Sequence, residues 1–182
     1  YVDVVELCGG AGRPLEIAIR RRMRAGRNFD LTTGVDLSQP AEVAAYWRYL
    51  RKSRPRVIVM APPCTPFGPW AHFNKIMSPQ GYQRSLKECL PLARLAGETA
   101  LHQLDQDKPK CVFINENPDP SDIYTVAPWP QVRRHPRVTS RVSDQCATGQ
   151  RARSGPNAGM YIRKRTLMVS SCDEAMTVFD HV

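Results

Sequence analysis

Cys64 stands in the segment APPCTPFGPW, directly after the apolar run Val57, Ile58, Val59, Met60. That short, β-branched run predicts a buried strand, and Pro62 and Pro63 end it with fixed backbone angles and no amide donors. The thiol is thereby presented on a stiff loop at a strand exit, a useful place for a nucleophile; the bland alternative is a small hydrophobe without chemistry. Two other segments follow apolar strands in the same way. ELCGGAG, Glu6 to Gly12, comes after Val2, Val4 and Val5, and INENP, Ile114 to Pro118, comes after Cys111, Val112 and Phe113. A glycine-rich turn after a strand lets the backbone approach a nucleotide closely, and a strand-end carboxyl group such as Glu116 suits proton transfer.

Taken in order, the three segments resemble the cytosine-5 DNA methyltransferases. That family's motifs run from an acidic-Leu-Phe-x-Gly-x-Gly cofactor loop through a Pro-Cys nucleophile loop to a Glu-Asn-Val strand end. The resemblance covers Val2 to about Asn117, with a weaker echo from Arg163 to Ser171. It implies a Rossmann-like α/β fold that binds S-adenosyl-L-methionine, with a mostly parallel central sheet and helices on both faces. It also implies that Cys64 adds to carbon 6 of cytosine and that Glu116 gives a proton or hydrogen bond to ring nitrogen 3. The latter task needs a carboxyl group that keeps its proton, and Glu116 at the end of an apolar strand is expected to be buried accordingly.

The family's late arginine pair, whose first member helps hold the extruded base, is matched by Arg163 and Arg165 by position, with Tyr161 where glutamine belongs. Gln150, Arg151 and Arg153 match it by spelling but lie farther from a strand. On the cofactor side the resemblance points to Glu6, Leu7, Cys8, Gly10, Gly12 and Pro62, with Asp36 on the ribose hydroxyls and Asp30 competing for that role. The chain departs from the family at Cys8, where an aromatic is usual, and at Pro118, where valine is usual. Neither a target-recognition region nor a final helix completing the cofactor pocket is recognisable, so target selectivity is expected either to be slight or to come from another segment or subunit.

The elements that must hold these loops read as alternating strands and helices in one domain over the 182 residues. Pro14 opens a helix whose buried stripe is expected to be Leu15, Ile19 and Met23, with Gly26 closing it. The arginines at 20, 21, 22, 24 and 27 then cluster at the helix end, away from the motif loops. Phe29 to Leu37 is the next predicted strand, and Ser38 with Pro40 announces a helix to about Leu50 with Val43, Trp47 and Leu50 on one face. A long helix from Gly81 to about Asp107 carries Pro91 and, on its apolar face, Gly97, which costs about 1 kcal/mol relative to alanine and is expected to allow close packing on the sheet. The proline-rich stretch after Pro118 reads as a packed loop, and 137–142 with 166–170 read as a hairpin. The loop after Cys64, with Trp70, His72, Phe73 and Lys75, is either a lid over an extruded base or packed on the core.

Against 17 acidic residues the chain has 26 Lys and Arg, a net charge of +9 that suits a polyanion. Nine of those cations fall between Gln131 and Arg165, beside the single acid Asp144, which marks that stretch as the expected phosphate-facing surface. The six cysteines form no C-x-x-C pair and no zinc-like spacing, so no structural metal is expected. The chain has no span long enough for a membrane and no signal-peptide pattern, which points to an intracellular protein, nuclear in a eukaryote. The expected partner is nucleic acid, DNA first, with RNA cytosine-5 methylation as the near alternative. A catalytically degenerate methyltransferase-fold module that only binds nucleic acid is the alternative of a different class.

Overall fold

In chain order the elements are β1 (Val4–Leu7), α1 (Arg13–Arg20), β2 (Ala25–Phe29), α2 (Pro40–Ser53), β3 (Val57–Met60), α3 (Ala71–Met77), α4 (Pro79–Leu104), β4 (Val112–Pro118), α5 (Trp129–Arg134), β5 (Thr139–Asp144), β6 (Arg165–Ser170) and α6 (Asp173–Met176). They are those of a computed structural model that describes residues 1–105 and 111–180. The six strands form one sheet in the order β2-β1-β3-β4-β6-β5. β2, β1, β3 and β4 run parallel, whereas β6 runs antiparallel to both β4 and β5.

This order decides where the chemistry lies. Parallel strands place all their carboxyl ends on one edge, so the residues after Leu7, Phe29, Met60 and Pro118 gather there. Because β6 is reversed, with Thr166 opposite Pro118, it is the start of that strand that reaches the same edge, bringing Arg163 to Arg165 with it. The chain moves from β1 to β2 on one side and then crosses to β3 on the other, which makes β1 the point where the winding changes direction. Crevices at such a point are where open α/β sheets bind ligands.

Alternation along the central strands buries both faces. Val5, Leu7, Ile58 and Met60 join one core cluster with Tyr46 and Leu50 of α2, Ala93, Ala96 and Ala100 of α4 and Trp129 of α5. Val4, Val57 and Val59 point the other way and meet Leu15 and Ala18 of α1. Among the described residues no helix is long and apolar enough to cross a membrane.

Several sequence expectations are corrected here. β2 is Ala25–Phe29, not Phe29 to Leu37: the Asp30 carboxylate accepts the Thr32 amide, and the chain turns through a 3-10 turn, Leu31–Thr33, to Gly34 at φ 80°. α1 stops at Arg20, so it buries Leu15 and Ala18 while Ile19 and Met23 stay exposed. Gly26 lies within β2, where a Cβ would come within 2.7 Å of Val5 and 2.8 Å of the Tyr49 hydroxyl. α2 buries the expected Leu50 completely, but equally Tyr46, whose hydroxyl pairs with Thr99 at 2.9 Å, while Val43 and Trp47 are only partly buried.

α4 starts at Pro79 with Pro91 inside it, and its expected end at Asp107 lies outside the described residues. Gly97 meets Pro128 and Trp129, not the sheet. The stretch after Pro118 holds a 3-10 turn, Asp122–Thr125, and α5, and the hairpin strands are β5 and β6.

Candidate functional site

The glycine loop is shaped by what lies beneath it. A Cβ on Gly9 would meet Glu6 Oε1 at 2.7 Å and Asn28 Oδ1 at 2.8 Å, so only glycine lets the loop settle over those side chains. Gly12 takes φ 67° as the residue that starts α1. Cys8, at φ 55°, adopts the same left-handed region with a side chain, a strained geometry of the kind found at ligand sites. Two side chains from the end of β2 staple the loop. Gly10 N donates to Asp30 Oδ2 at 2.9 Å and Gly9 N to Asn28 Oδ1 at 3.2 Å, while Asn28 Nδ2 donates to the Gly10 carbonyl at 2.9 Å.

Beside this loop lies a cavity of about 350 Å³ lined by Cys8, Asp30, Leu31, Asp36 and Pro63, among others. Burial disfavours the charge on Asp30, but the amides of Thr32 and Gly10 outweigh it and hold the carboxyl below its ordinary value. Asp36 is also held low, by Ser38 and Gln39, and its carboxylate accepts the Ser38 amide at 3.0 Å. Burial, aided by the charge of Asp30, pushes the Cys8 thiol up to about 12, which disfavours its thiolate.

Of the other residues expected on the cofactor side, Glu6 is buried and accepts the Leu15 amide at the start of α1. Burial holds its carboxyl above the ordinary value, with the Leu15 amide opposing. Leu7 is fully buried in the core, and Pro62 is buried with its carbonyl accepting Asn117 Nδ2 at 3.3 Å. These three support the loops from behind; Cys8 and Asp36 face the cavity. Asp30 is the acid at the end of β2, a place the over-long predicted strand had given to Asp36, and both carboxylates line this one cavity.

The next residue after Pro63 lines a second cavity, of about 530 Å³. Its walls include Cys64, Trp70, Pro118, Arg163, Lys164 and Arg165. The Cys64 carbonyl closes a tight turn by accepting the amides of Phe67 at 2.9 Å and Gly68 at 2.7 Å. That turn rests on the end of β4: a Cβ on Gly68 would lie 3.7 Å from the Pro118 ring, and Asp122 N donates to the Phe67 carbonyl at 2.8 Å. Pro118 is therefore a packing partner of the cysteine loop.

Glu116 differs from its expected setting. Its side chain keeps 28% exposure, and Oε1 pairs with Lys164 Nζ at 3.1 Å, with Gln145 Nε2 at 3.5 Å. Lys164 lines the cavity and Glu116 stands behind it. Arg163 and Arg165, the residues expected to serve this site, line the same cavity but pair with Asp144 and Asp119. Asp119 and Asn74 are cavity residues without a role in the sequence reading, and Lys164 stood there only among the nine cations of the expected phosphate-facing stretch. A basic cluster signals only the neighbourhood, since strand register decides which cation meets Glu116.

The expected phosphate-facing stretch also divides. Arg137 donates to the Leu104 and Cys111 carbonyls, Arg141 pairs with Asp180 and Asp173, and Arg133 lies over the Tyr124 ring. Those three hold the fold together, leaving Arg163, Lys164 and Arg165 at the cavity. Arg151 stacks on Tyr161 with its guanidinium carbon 3.9 Å from the ring centre.

No known family model matches the chain, and no curated protein matches it either.

Proposed function

We propose that this chain transfers a methyl group from S-adenosylmethionine to carbon 5 of cytosine in DNA, by way of a covalent adduct at Cys64. The observation that carries this reading is the pair of cavities at the carboxyl edge of the parallel strands, lined on either side by the consecutive residues Pro63 and Cys64. Two ligands held there would meet across one peptide, as a direct transfer between them requires. The order of the Glu6 to Gly12, Cys64 and Glu116 segments, and the mostly parallel sheet with reversed β6, support a Rossmann-like methyltransferase fold.

The first cavity suits the cofactor chemically. Leu31, Val35, Leu37 and Leu92 give it an apolar wall for a purine, and Asp30 and Asp36 offer acceptors for a ribose diol. Bound there, S-adenosylmethionine supplies an electrophilic methyl group on a sulfonium. Asp36 accepts from the ribose hydroxyls, and Asp30 fixes the loop carrying Gly10 and Gly12.

In the second cavity the Cys64 thiolate forms a bond to carbon 6 of cytosine, which makes carbon 5 electron-rich. For Glu116 to give the hydrogen bond or proton at ring nitrogen 3, its carboxyl group must take up a proton and leave the ion pair with Lys164 when the base enters. Carbon 5 bonds to the methyl group as the methyl–sulfur bond of the sulfonium breaks, leaving a neutral thioether. Water then takes the carbon 5 proton, whose electron pair restores the 5,6 double bond and expels Cys64 as the free thiolate.

A second reading is a nucleic-acid-binding module without catalysis. It is favoured by Glu116 standing behind Lys164 rather than on the cavity wall. Incubation with methyl-labelled cofactor and either DNA or RNA separates the readings. Label in DNA is the expected result. Label in RNA alone would change the polymer, and nucleic-acid binding with neither transfer nor cofactor affinity would establish the module instead.

A further inference from the structure

We propose that Trp70 and Phe73 form a stacking shelf for unpaired bases, and that the strand entering the Cys64 cavity is therefore single-stranded DNA. This rests on reading that cavity as a nucleic-acid site. Trp70 is 72% exposed and Phe73 53% exposed, whereas Trp129 is fully buried and Trp47 packs against the core. The sequence left a choice between a lid and a core-packing loop. The structure rules against core packing: it puts the two rings on solvent at the start of α3, edge to face with centroids 6.3 Å apart.

An exposed aromatic pair beside a reactive cavity is informative in a way that scattered surface leucines are not. Trp70 is itself part of the cavity wall, with Asn74 from the next turn of α3, and Arg163, Lys164 and Arg165 line the same space. The patch thus combines π-faces with cations that each hold a carboxylate a phosphate can displace, which is the chemistry of single-strand binding: bases stack on rings while the cations follow the phosphates. A duplex would offer α3 its phosphates but not its base faces, which are already stacked. Getting a base into the cavity would then also require unstacking it, a cost that an unpaired strand avoids. Ile76 and Met77, 63% and 66% exposed, extend the apolar surface along the same helix. A membrane or protein partner for that surface is the competing class, but three cations at its edge favour a polyanion with flat apolar faces.

The test is fluorescence anisotropy without cofactor, using a labelled DNA strand of about 12 nucleotides and the same strand in duplex. The single strand is expected to bind about tenfold tighter than the duplex. Trp70→Ala and Phe73→Ala should each weaken the single strand about tenfold, with less than about a twofold effect on the duplex, and Trp70→Phe should retain most of the affinity. Circular dichroism melts of the variants should match the parent, because both rings are on the surface. Equal affinity for duplex, an unaffected Trp70→Ala, or binding of anionic lipid vesicles in place of the strand would overturn the proposal. Methyl transfer does not enter the measurement, so a single-strand preference that persists when no transfer is found still supports the shelf and counts only against the catalytic reading.

Discussion

Asp30 and Asp36 line the same cavity but use their oxygens differently. Asp30 accepts from Gly10 and Thr32 and so holds the loop; Asp36 accepts only from residues just after it and keeps an exposed face for a ligand. Asp36→Ala should therefore lower cofactor affinity about tenfold, the worth of a charge-assisted hydrogen bond, with a smaller loss of thermal stability than Asp30→Ala, because its own bonds reach only Ser38 and Gln39. Asp30→Ala should lower both affinity and stability, because it frees the loop. Calorimetry and melting of both variants decide this, and an Asp36→Ala protein with unchanged affinity would move the ribose contact to Asp30. Glu116→Gln is a different case. A group used mainly in the transition state should cost about 10²-fold or more in turnover while cofactor affinity stays put, and a drop in cofactor affinity alone would remove Glu116 from the chemistry. The strand-exit loops that carry Cys64 and the glycines were legible in the sequence because prolines and glycines restrict the backbone there. Lys164 was not. It lies one residue before β6, in step with Thr166 and Met168, and because Met168 lies opposite Glu116, register together with the length of the lysine side chain brings its ammonium group to Glu116.

At the level of elements, β3 and the hairpin strands could be read from β-branched runs, but β2 could not. Its sequence AGRNF has little strand preference, and its place is set by parallel pairing with β1 and by glycine against Val5. α4 was visible from its apolar face, yet the neighbour of Gly97 was not, because Pro128 and Trp129 come from another element. A Cβ at Gly97 would lie 2.8 Å from the Pro128 ring. Gly97→Ala should therefore destabilise by about 1–2 kcal/mol in urea unfolding, since overpacking outweighs the helix propensity gained. A neutral or stabilised variant would mean that α4 and α5 separate easily.

The opposite edge of the sheet has its own staple, Asp3, whose carboxylate accepts from the Arg24 side chain and amide and lies 3.8 Å from Arg56. The Arg24 hydrogen bonds hold Asp3 down at about 2. A carboxyl group depressed in the folded state stabilises above its unfolded value and loses that contribution as the pH falls through the folded one. Stability from Asp3 should thus vanish between about pH 4 and pH 2, and Asp3→Asn should flatten that part of the pH profile in urea titrations.

For the whole molecule, the charge of +9 overstates the cationic surface near the site, because Arg163, Lys164 and Arg165 each already face a carboxylate. Phosphates must displace those partners, and if about three do so, raising salt from about 50 to 200 mM should weaken single-strand binding roughly 20-fold. An affinity independent of salt would show that these cations do not meet phosphate. The sign of the charge and the order of the loops are readable without coordinates; only the reversed β6 shows how a late basic segment returns to the cysteine edge. The central claim is that a base and a cofactor meet across Pro63 and Cys64. DNA carrying 5-fluorocytosine, incubated with S-adenosylmethionine and the protein, tests it most directly, because fluorine at carbon 5 cannot leave as a proton and the adduct is trapped. A denaturation-stable protein–DNA adduct is expected, absent in Cys64→Ser, which should still bind the cofactor. An adduct that survives in Cys64→Ser, or none in the parent protein with both ligands bound, would contradict the claim.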